Sequence, residues 1–324
     1  MALDQLLRML EEPNALYILG AGASYPLVPM AAKLGEIVLD QTLALGHYST
    51  TPVPLDPIAD RIVGQAKRRL HWVNAREDGW LLRTELAERI SPGAVQASAV
   101  ALLHPGRPDR CAQYEVFQVS TYPATFMNFN NDGLADTFCP KHVVLNMHGT
   151  SLNPKQRQNL NWAQWIDILQ MFPAISAPNV SGLLLPQVEP DGIINTAPYV
   201  EASQRILRAK RIALIGYSFG GMDDRVAYRL LTRAVARTQA PIVVIGPDVH
   251  DLVMRLREDV PRVPVMELVA RWYELAEAII ASSTRRFHKS CDTDRLCGRC
   301  VTYAYEAILD QSGWARSLIR RHTT

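Results

Sequence analysis

Three side chains suited to acid–base or polar chemistry stand directly behind two apolar segments of the sequence. Asn130 and Asp132 follow the segment 124–129, and His148 follows the segment 143–147. Both segments are typical of buried strands, and the carboxyl ends of parallel strands meet at the edge where ligands bind. We therefore expect one cleft, with an imidazole able to take up a proton at neutral pH. The alternative is structural: the first two residues cap a turn, and the histidine is buried with satisfied hydrogen bonds.

A glycine-rich turn provides a second candidate site. The residues LYILGAGASY at 16–25 are typical of a short apolar strand that enters a turn, and the amphipathic run 30–45 is typical of a following helix. Gly20 permits a tight turn, and Gly22, which lacks a Cβ, lets backbone N–H groups approach a pyrophosphate. The alternative is a plain strand-to-helix turn that binds no ligand.

Four residues that commonly bind metals cluster near the C-terminus, with the spacing His288-x2-Cys291-x5-Cys297-x2-Cys300. Each x2 pair can present two side chains from one turn, so the four together can surround a tetrahedral Zn²⁺. The five-residue spacer is short for a common zinc ribbon. Free thiols in a loop between helices are therefore the alternative to a structural zinc site.

The elements that must position these residues alternate between strands and helices. This alternation predicts an α/β fold with a Rossmann-like, doubly wound parallel sheet. The predicted strands lie at 16–19, 124–129, 143–147, 211–217 and 241–245, and the predicted helices at 1–12, 199–209, 225–237 and 267–282.

The chain divides into a sheet-bearing domain, 1–265, and a helical C-terminal extension, 266–324, which carries the cysteines. Prolines between residues 49 and 57 break the pattern, and a helical insertion is expected beside the sheet at about 50–115.

Composition limits the classes of function. The net charge is only +2 over 324 residues, which argues against an extensive nucleic-acid surface. Residues 285–324 hold eight Lys/Arg against four Asp/Glu, so a local contact with nucleic acid or an acidic partner stays open. We expect a cytoplasmic protein, since the sequence has neither a secretion signal nor a run apolar enough to span a bilayer.

Four motifs resemble, in their order along the chain, those of the sirtuin superfamily. They are GAGAS at 20–24, NNDGL at 130–134, HGT at 148–150, and GYSF at 216–219 followed by Asp224. The pattern is most similar to the bacterial SIR2-like branch, which is known for NAD-cleaving effectors of antiphage defence. The resemblance implies an NAD⁺ glycohydrolase that releases nicotinamide and ADP-ribose, and abortive infection by NAD depletion.

The resemblance also implies roles for individual residues. The turn formed by Gly20, Ala21, Gly22, Ala23 and Ser24 would line the pyrophosphate and ribose site, and Ser218 and Asp224 would lie near the adenosine half. Asn130 would hold a water or a ribose hydroxyl near the reacting carbon. Asp132 would contact the nicotinamide carboxamide, and His148 would be the general base.

The same resemblance implies regulation and partners. Unrestrained loss of NAD⁺ would harm the host, so activity is expected to depend on a homo-oligomer or an activating protein. A HerA-like DNA translocase and an Argonaute-like protein are the examples that the family offers.

The sequence departs from the deacylating sirtuins in one respect that bears on chemistry. Those enzymes carry a cysteine-rich zinc module after the HG motif, whereas residues 151–200 contain no cysteine. Water is therefore favoured over acyl-lysine as the acceptor, and a protein deacylase is the weaker alternative. A non-catalytic module that senses NAD⁺ or ADP-ribose stays open. A redox dehydrogenase is disfavoured because Tyr25 stands where ordinary dinucleotide folds have glycine.

Overall fold

The computed structural model describes 2–29, 110–130, 132–147, 197–219, 222–284 and 296–312, and the positions 37, 40, 43–44, 63–64, 86, 89 and 291. The predicted insertion at about 50–115 therefore lies almost entirely outside the described residues, as does most of the predicted helix at 30–45.

Six parallel strands form one sheet with the order β3-β2-β1-β4-β5-β6. They are β1 (Ala15–Leu19), β2 (Thr125–Asn128), β3 (Val143–Asn146), β4 (Arg211–Ile215), β5 (Ile242–Gly246) and β6 (Val265–Val269). The strand β1 pairs with β2 on one side and with β4 on the other. The α/β, Rossmann-like prediction is thus confirmed, and β1 and β4 flank the point where the strand order reverses.

Helices cover both faces of this sheet. The α-helices of the described residues are α1 (Ala2–Glu11), α2 (Ala21–Ser24), α3 (Ala112–Glu115), α4 (Leu134–Phe138), α5 (Ala197–Arg208), α6 (Met222–Thr238), α7 (His250–Asp259), α8 (Trp272–Thr284) and α9 (Gly298–Ser312). A 3₁₀ turn at Val116–Val119 follows α3.

The alternation of side chains along β1 shows why the sheet has two cores. Tyr17 and Leu19 pack into one cluster with α1, α3, α8 and α9. Leu16 and Ile18 point the other way, into a cluster with α5, α6 and α7. Because every residue of β1 is buried, the strand is apolar throughout rather than alternating, as expected for a parallel sheet covered on both faces.

The prediction of a helix from 267 to 282 is wrong at its start. Residues Val265–Val269 form β6, which pairs in parallel with β5, and α8 begins only at Trp272. A short apolar run is ambiguous between strand and helix, and pairing with β5 decides the outcome here. The sheet consequently extends across the boundary predicted at 265. Across the part of the chain that the structure describes, none of the helices combines the length and apolarity needed to cross a bilayer.

Candidate functional site

The glycine turn after β1 is tied to the end of β4 by backbone hydrogen bonds. Gly20 N–H donates to Ile215 O at 3.0 Å, and Gly22 N–H donates to Gly216 O at 3.0 Å. Ala23 N–H donates to Gly20 O at 2.8 Å. The backbone N–H groups of Gly22 and Ala23, which were predicted to approach a pyrophosphate, are therefore already hydrogen-bonded within the protein.

The three glycines at this point allow two strand ends to approach each other. A Cβ on Gly22 would lie 2.7 Å from Gly216 Cα, and one on Gly216 would lie 2.4 Å from Gly22 C. A Cβ on Gly20 would lie 2.5 Å from Gly216 O. Gly216 also has a φ of +58°, a conformation that other residues rarely adopt. The glycines are thus explained by backbone contact between the β1 and β4 ends.

A buried polar group, which we call the strand-end cluster, lies beside this turn and consists of Ser24, Tyr114, Asn130 and Asp132. Ser24 Oγ donates to Asp132 Oδ2 and lies 2.7 Å from Tyr114 Oη. Asn130 Nδ2 donates to Ser24 Oγ at 3.1 Å and to Gly20 O at 2.8 Å. Residues separated by more than 100 positions in the chain therefore share hydrogen bonds at the carboxyl ends of β1 and β2.

The direction of these hydrogen bonds follows from the donors available. Ser24 has one hydroxyl proton, which it gives to Asp132, so Tyr114 Oη must be the donor in its bond to Ser24 Oγ. Burial, together with the nearby charge of Asp132, raises the pKa of Tyr114 well above its ordinary value and keeps that proton in place. Tyr114 therefore donates to Ser24, and Ser24 donates to Asp132.

The carboxylate and the amide are held in fixed orientations. Asp132 Oδ1 accepts the Leu134 N–H at 2.9 Å, in addition to the bond from Ser24 at Oδ2. Asn130 uses its Nδ2 for bonds inside the protein, and its own N–H donates to Asn128 Oδ1 at 3.1 Å. Side chains fixed in this way are preorganised, which is what positioning and charge stabilisation require.

Further polar residues behind the strand-end cluster hold the turn after β2. Asn128 Nδ2 donates to Asn130 O at 3.1 Å and to Asn146 Oδ1 at 2.9 Å. Asn146 Nδ2 donates to both oxygens of Asp136 at 3.1 and 3.2 Å. Neither Tyr114 nor these residues were predicted from the sequence. For Asn128 a signal existed, since an asparagine within an apolar strand and fully buried needs partners.

The loop after β4 meets the turn after β2 through aromatic rings. The rings of Phe129 and Tyr217 stack at 4.3 Å with an interplanar angle of 22°, and Tyr217 contacts Phe219 at 4.5 Å. Ser218 between them is exposed, and its carbonyl accepts a 3.3 Å bond from Arg255. These contacts bring the GYSF motif to the same edge of the sheet as the strand-end cluster.

Two predicted site residues, His148 and His288, lie outside the described residues. A third, Asp224, lies in α6, and its side chain is not described. Ala21 and Ala23 lie in α2, directly behind Gly20.

Near the C-terminus the structure brings together Cys291, Cys297 and Cys300, which we call the thiol cluster. Their sulfurs all lie within 4.8 Å of one another, and the Sγ atoms of Cys291 and Cys300 are 3.3 Å apart. Two sulfurs on one tetrahedral Zn²⁺ would be about 3.8 Å apart, given Zn–S bonds of about 2.3 Å. Three ligands of the predicted set are thus close enough to share one metal ion.

The electrostatics of the thiol cluster differ between its members. Hydrogen bonds from the Cys291 thiol and from the Cys300 backbone N–H lower the pKa of Cys297, which stands immediately before α9. The hydrogen bond to Cys297, followed by the one to Cys300, raises the pKa of Cys291 to about 12. A sulfur at the start of a helix is favoured as a thiolate, the form that binds metals.

Comparison with known proteins gives no match to this chain: no family model, no curated protein and no solved structure is significantly similar to it.

Proposed function

We propose that this chain is a SIR2-like NAD⁺ glycohydrolase, which cleaves the bond between nicotinamide and ribose and releases ADP-ribose. The observation that carries the proposal is the strand-end cluster. It joins Ser24 of the GAGAS motif to Asn130 and Asp132 of the NNDGL motif by hydrogen bonds. The sheet edge that bears them is the edge where ligands of doubly wound proteins bind.

The chemistry of the reaction suits these residue types. Departure of nicotinamide leaves positive charge on the ribose, so the protein must position the substrate, stabilise charge and activate water. In the proposal, the carboxylate of Asp132 accepts the carboxamide N–H of nicotinamide. Asn130, whose Nδ2 is bound to Gly20 O, receives a water or ribose hydroxyl at its Oδ1. His148 takes the proton from that water.

The ADP half of the substrate is assigned to the loop that follows β4, with Ser218 and Asp224. The amides of Gly22 and Ala23 have partners within the protein, so the proposal does not use them for the pyrophosphate. The ring of Phe129, next to Asn130, stacks on the ring of Tyr217, next to Ser218, so the two loops that carry the assigned residues are in contact. The enzyme would act in the cytoplasm as a regulated antiphage effector, held inactive until a homo-oligomer forms or a partner protein binds.

The test is nicotinamide release from NAD⁺, measured by liquid chromatography on the purified full chain and on the complex that copurifies with it. Loss of a general base typically costs 10² to 10⁴ in rate, so His148→Ala should lower release at least about 100-fold. His250→Ala is the control, because that side chain is exposed and has no assigned role. Calorimetric binding of NAD⁺ without release in either preparation would instead identify a sensor. Release that requires an acetylated peptide would identify a deacylase.

We also propose that the thiol cluster binds a structural Zn²⁺, with His288 as the fourth ligand. Soft thiolate donors select zinc over magnesium or calcium, and the described sulfurs are close enough to share it. Elemental analysis should give about one zinc per chain, lost in Cys297→Ser and His288→Ala and retained in Cys111→Ser, which removes a buried cysteine outside the cluster.

A further inference from the structure

The residues on either side of Cys297 lie against the first helix of the chain. Leu296 N–H, one residue before Cys297, donates to Glu11 Oε1 at 3.1 Å. Gly298, one residue after it, lies so close to α1 that a Cβ there would be 2.8 Å from Asp4 Oδ1. Both neighbours of Cys297 in the sequence therefore contact the same helix, about 290 positions away in the chain.

The helix α1 is firmly attached to the sheet. Its residues Leu6, Leu7, Met9 and Leu10 are buried in the core. Directly after it, Glu12 accepts two bonds from the guanidinium of Arg211, the first residue of β4, at 2.7 and 3.1 Å. A bidentate pair of this kind fixes orientation. The helix α1, against which Leu296 and Gly298 lie, is thus held firmly in place.

The helix α9, which starts at the thiol cluster, buries Cys300, Val301 and Ala304 and packs mainly on α8. The helix α8 in turn reaches the candidate site, because Trp272 Nε1 donates to Gln113 O at 2.8 Å. Gln113 Nε2 then donates to Tyr25 O at 3.0 Å, at the end of the glycine turn. Contacts therefore run from the C-terminal helices to the turn that carries Ser24.

A segment as short as the one from Cys291 to Cys300 cannot build a core of its own, and metal coordination supplies the free energy that such segments lack. We infer that the thiol cluster, with Zn²⁺ bound, is a clasp that holds the start of α9 on α1. This inference rests on the proposed zinc site and is independent of the proposed NAD⁺ chemistry.

The test is hydrogen–deuterium exchange on the full-length protein, with zinc bound and after chelation under reducing conditions. Removal of zinc should speed exchange at least about tenfold at the start of α9, which corresponds to about 1.4 kcal/mol. The helix α7, which packs on the opposite face of the sheet, is the internal reference and should not change.

A variant separates metal binding from the clasp. Glu11→Ala should keep one zinc per chain and still speed exchange in α9, because it removes the acceptor of the Leu296 N–H. Glu201→Ala is its control, since it removes a partly exposed glutamate whose described ion pair is with Arg205 in the same helix, α5. Failure to bind zinc after reconstitution, or a disulfide between Cys291 and Cys300 in its place, would defeat the zinc proposal. Zinc binding with unchanged exchange at the start of α9 on chelation would defeat the clasp alone.

Discussion

The two edges of the parallel sheet hold their polar groups in different ways. At the carboxyl edge, the members of the strand-end cluster share atoms: Ser24 Oγ contacts all three of the other side chains. At the amino edge, His142 joins two separate backbone groups. Its Nδ1 accepts the Ala124 N–H at 3.0 Å, so its Nε2–H is the donor to Phe117 O at 3.1 Å.

The ion pair between Arg211 and Glu12 also lies at the amino edge, where the guanidinium of Arg211 donates to Glu12 and to Gln5. Removing one amino-edge group therefore leaves few atoms without partners. Removing one carboxyl-edge group leaves several, in a buried setting where each unsatisfied group costs about 1–3 kcal/mol. The comparison predicts large, coupled effects at the carboxyl edge and small, separable effects at the amino edge.

The largest effect is expected from Gly216→Ala at the carboxyl edge. The new Cβ would lie 2.4 Å from Gly22 C, and alanine would have to adopt a φ of +58°. Because the neighbouring atoms are backbone and cannot rotate away, we expect a loss of about 3 kcal/mol or more in the free energy of unfolding. Urea-induced unfolding followed by circular dichroism measures it.

Gly64→Ala is the matched control for that substitution. Among the atoms that the structure describes, a Cβ on Gly64 meets nothing within 4 Å, so alanine should change stability by less than about 1 kcal/mol in either direction. Equal effects of the two substitutions would show that the β1 and β4 ends are not in the close contact described above.

A second comparison concerns two buried tyrosines on the same face of the sheet. Tyr114→Phe removes the donor to Ser24 Oγ and the acceptor of Asn130 Nδ2, and should cost about 1–2 kcal/mol. Tyr17→Phe removes a hydroxyl that has no hydrogen-bond partner among the described atoms, and should be neutral or stabilising. Denaturant midpoints of the two variants give the difference directly.

The strand-end cluster also predicts that the stability effects of Tyr114 and Ser24 are coupled. Because Tyr114 and Ser24 share a hydrogen bond, the double variant Tyr114→Phe, Ser24→Ala should lose less stability than the two single losses added together. Strict additivity would mean that the two hydroxyls act independently, and would contradict the hydrogen bond between them.

The sequence was sufficient for five of the six strands, but not for β6 or for the contacts at the edge of the sheet. Short apolar runs bounded by polar residues predict β1 to β5, since strands covered on both faces must be apolar. The link between Tyr114 and Ser24 has no signal in spacing or period. It arises from the order of strands in the sheet, which depends on packing of the whole chain. The role of Gly22 could not be predicted either, because the absence of a Cβ allows the close approach of a ligand and of a neighbouring backbone equally well.

The thiol cluster shows the opposite case. Its three cysteines lie within ten positions, so local spacing was enough to group them before any fold was known. The contact between these residues and α1 could not be predicted from sequence, because Glu11 and Leu296 are brought together only by the fold of the whole chain. Local chemistry is thus readable from sequence, whereas the surface that supports it is set by topology.

The smallest effect is expected at the amino edge, from His142. Burial lowers the pKa of this imidazole from its ordinary value of 6.5, because the charged form would be desolvated. Protonation at Nδ1 would also break the bond from the Ala124 N–H. The folded state therefore favours the neutral ring. Its contribution to stability is complete above about pH 6.5 and is lost as the pH falls through the lowered folded pKa.

We expect His142→Asn to cost about 1 kcal/mol at pH 7.5, and to lose less further stability than the wild type between pH 7.5 and 5. Unfolding midpoints across that range measure both quantities, with His250→Asn as a control that removes an exposed histidine holding no backbone group. The range stops at pH 5 because the Arg211 hydrogen bond lowers the pKa of Glu12 from 4.5, and that stabilisation is lost only at lower pH. If both variants kept the wild-type pH dependence, His142 would not be the group that titrates. The amino edge would then depend on packing around Phe117 rather than on its hydrogen bonds.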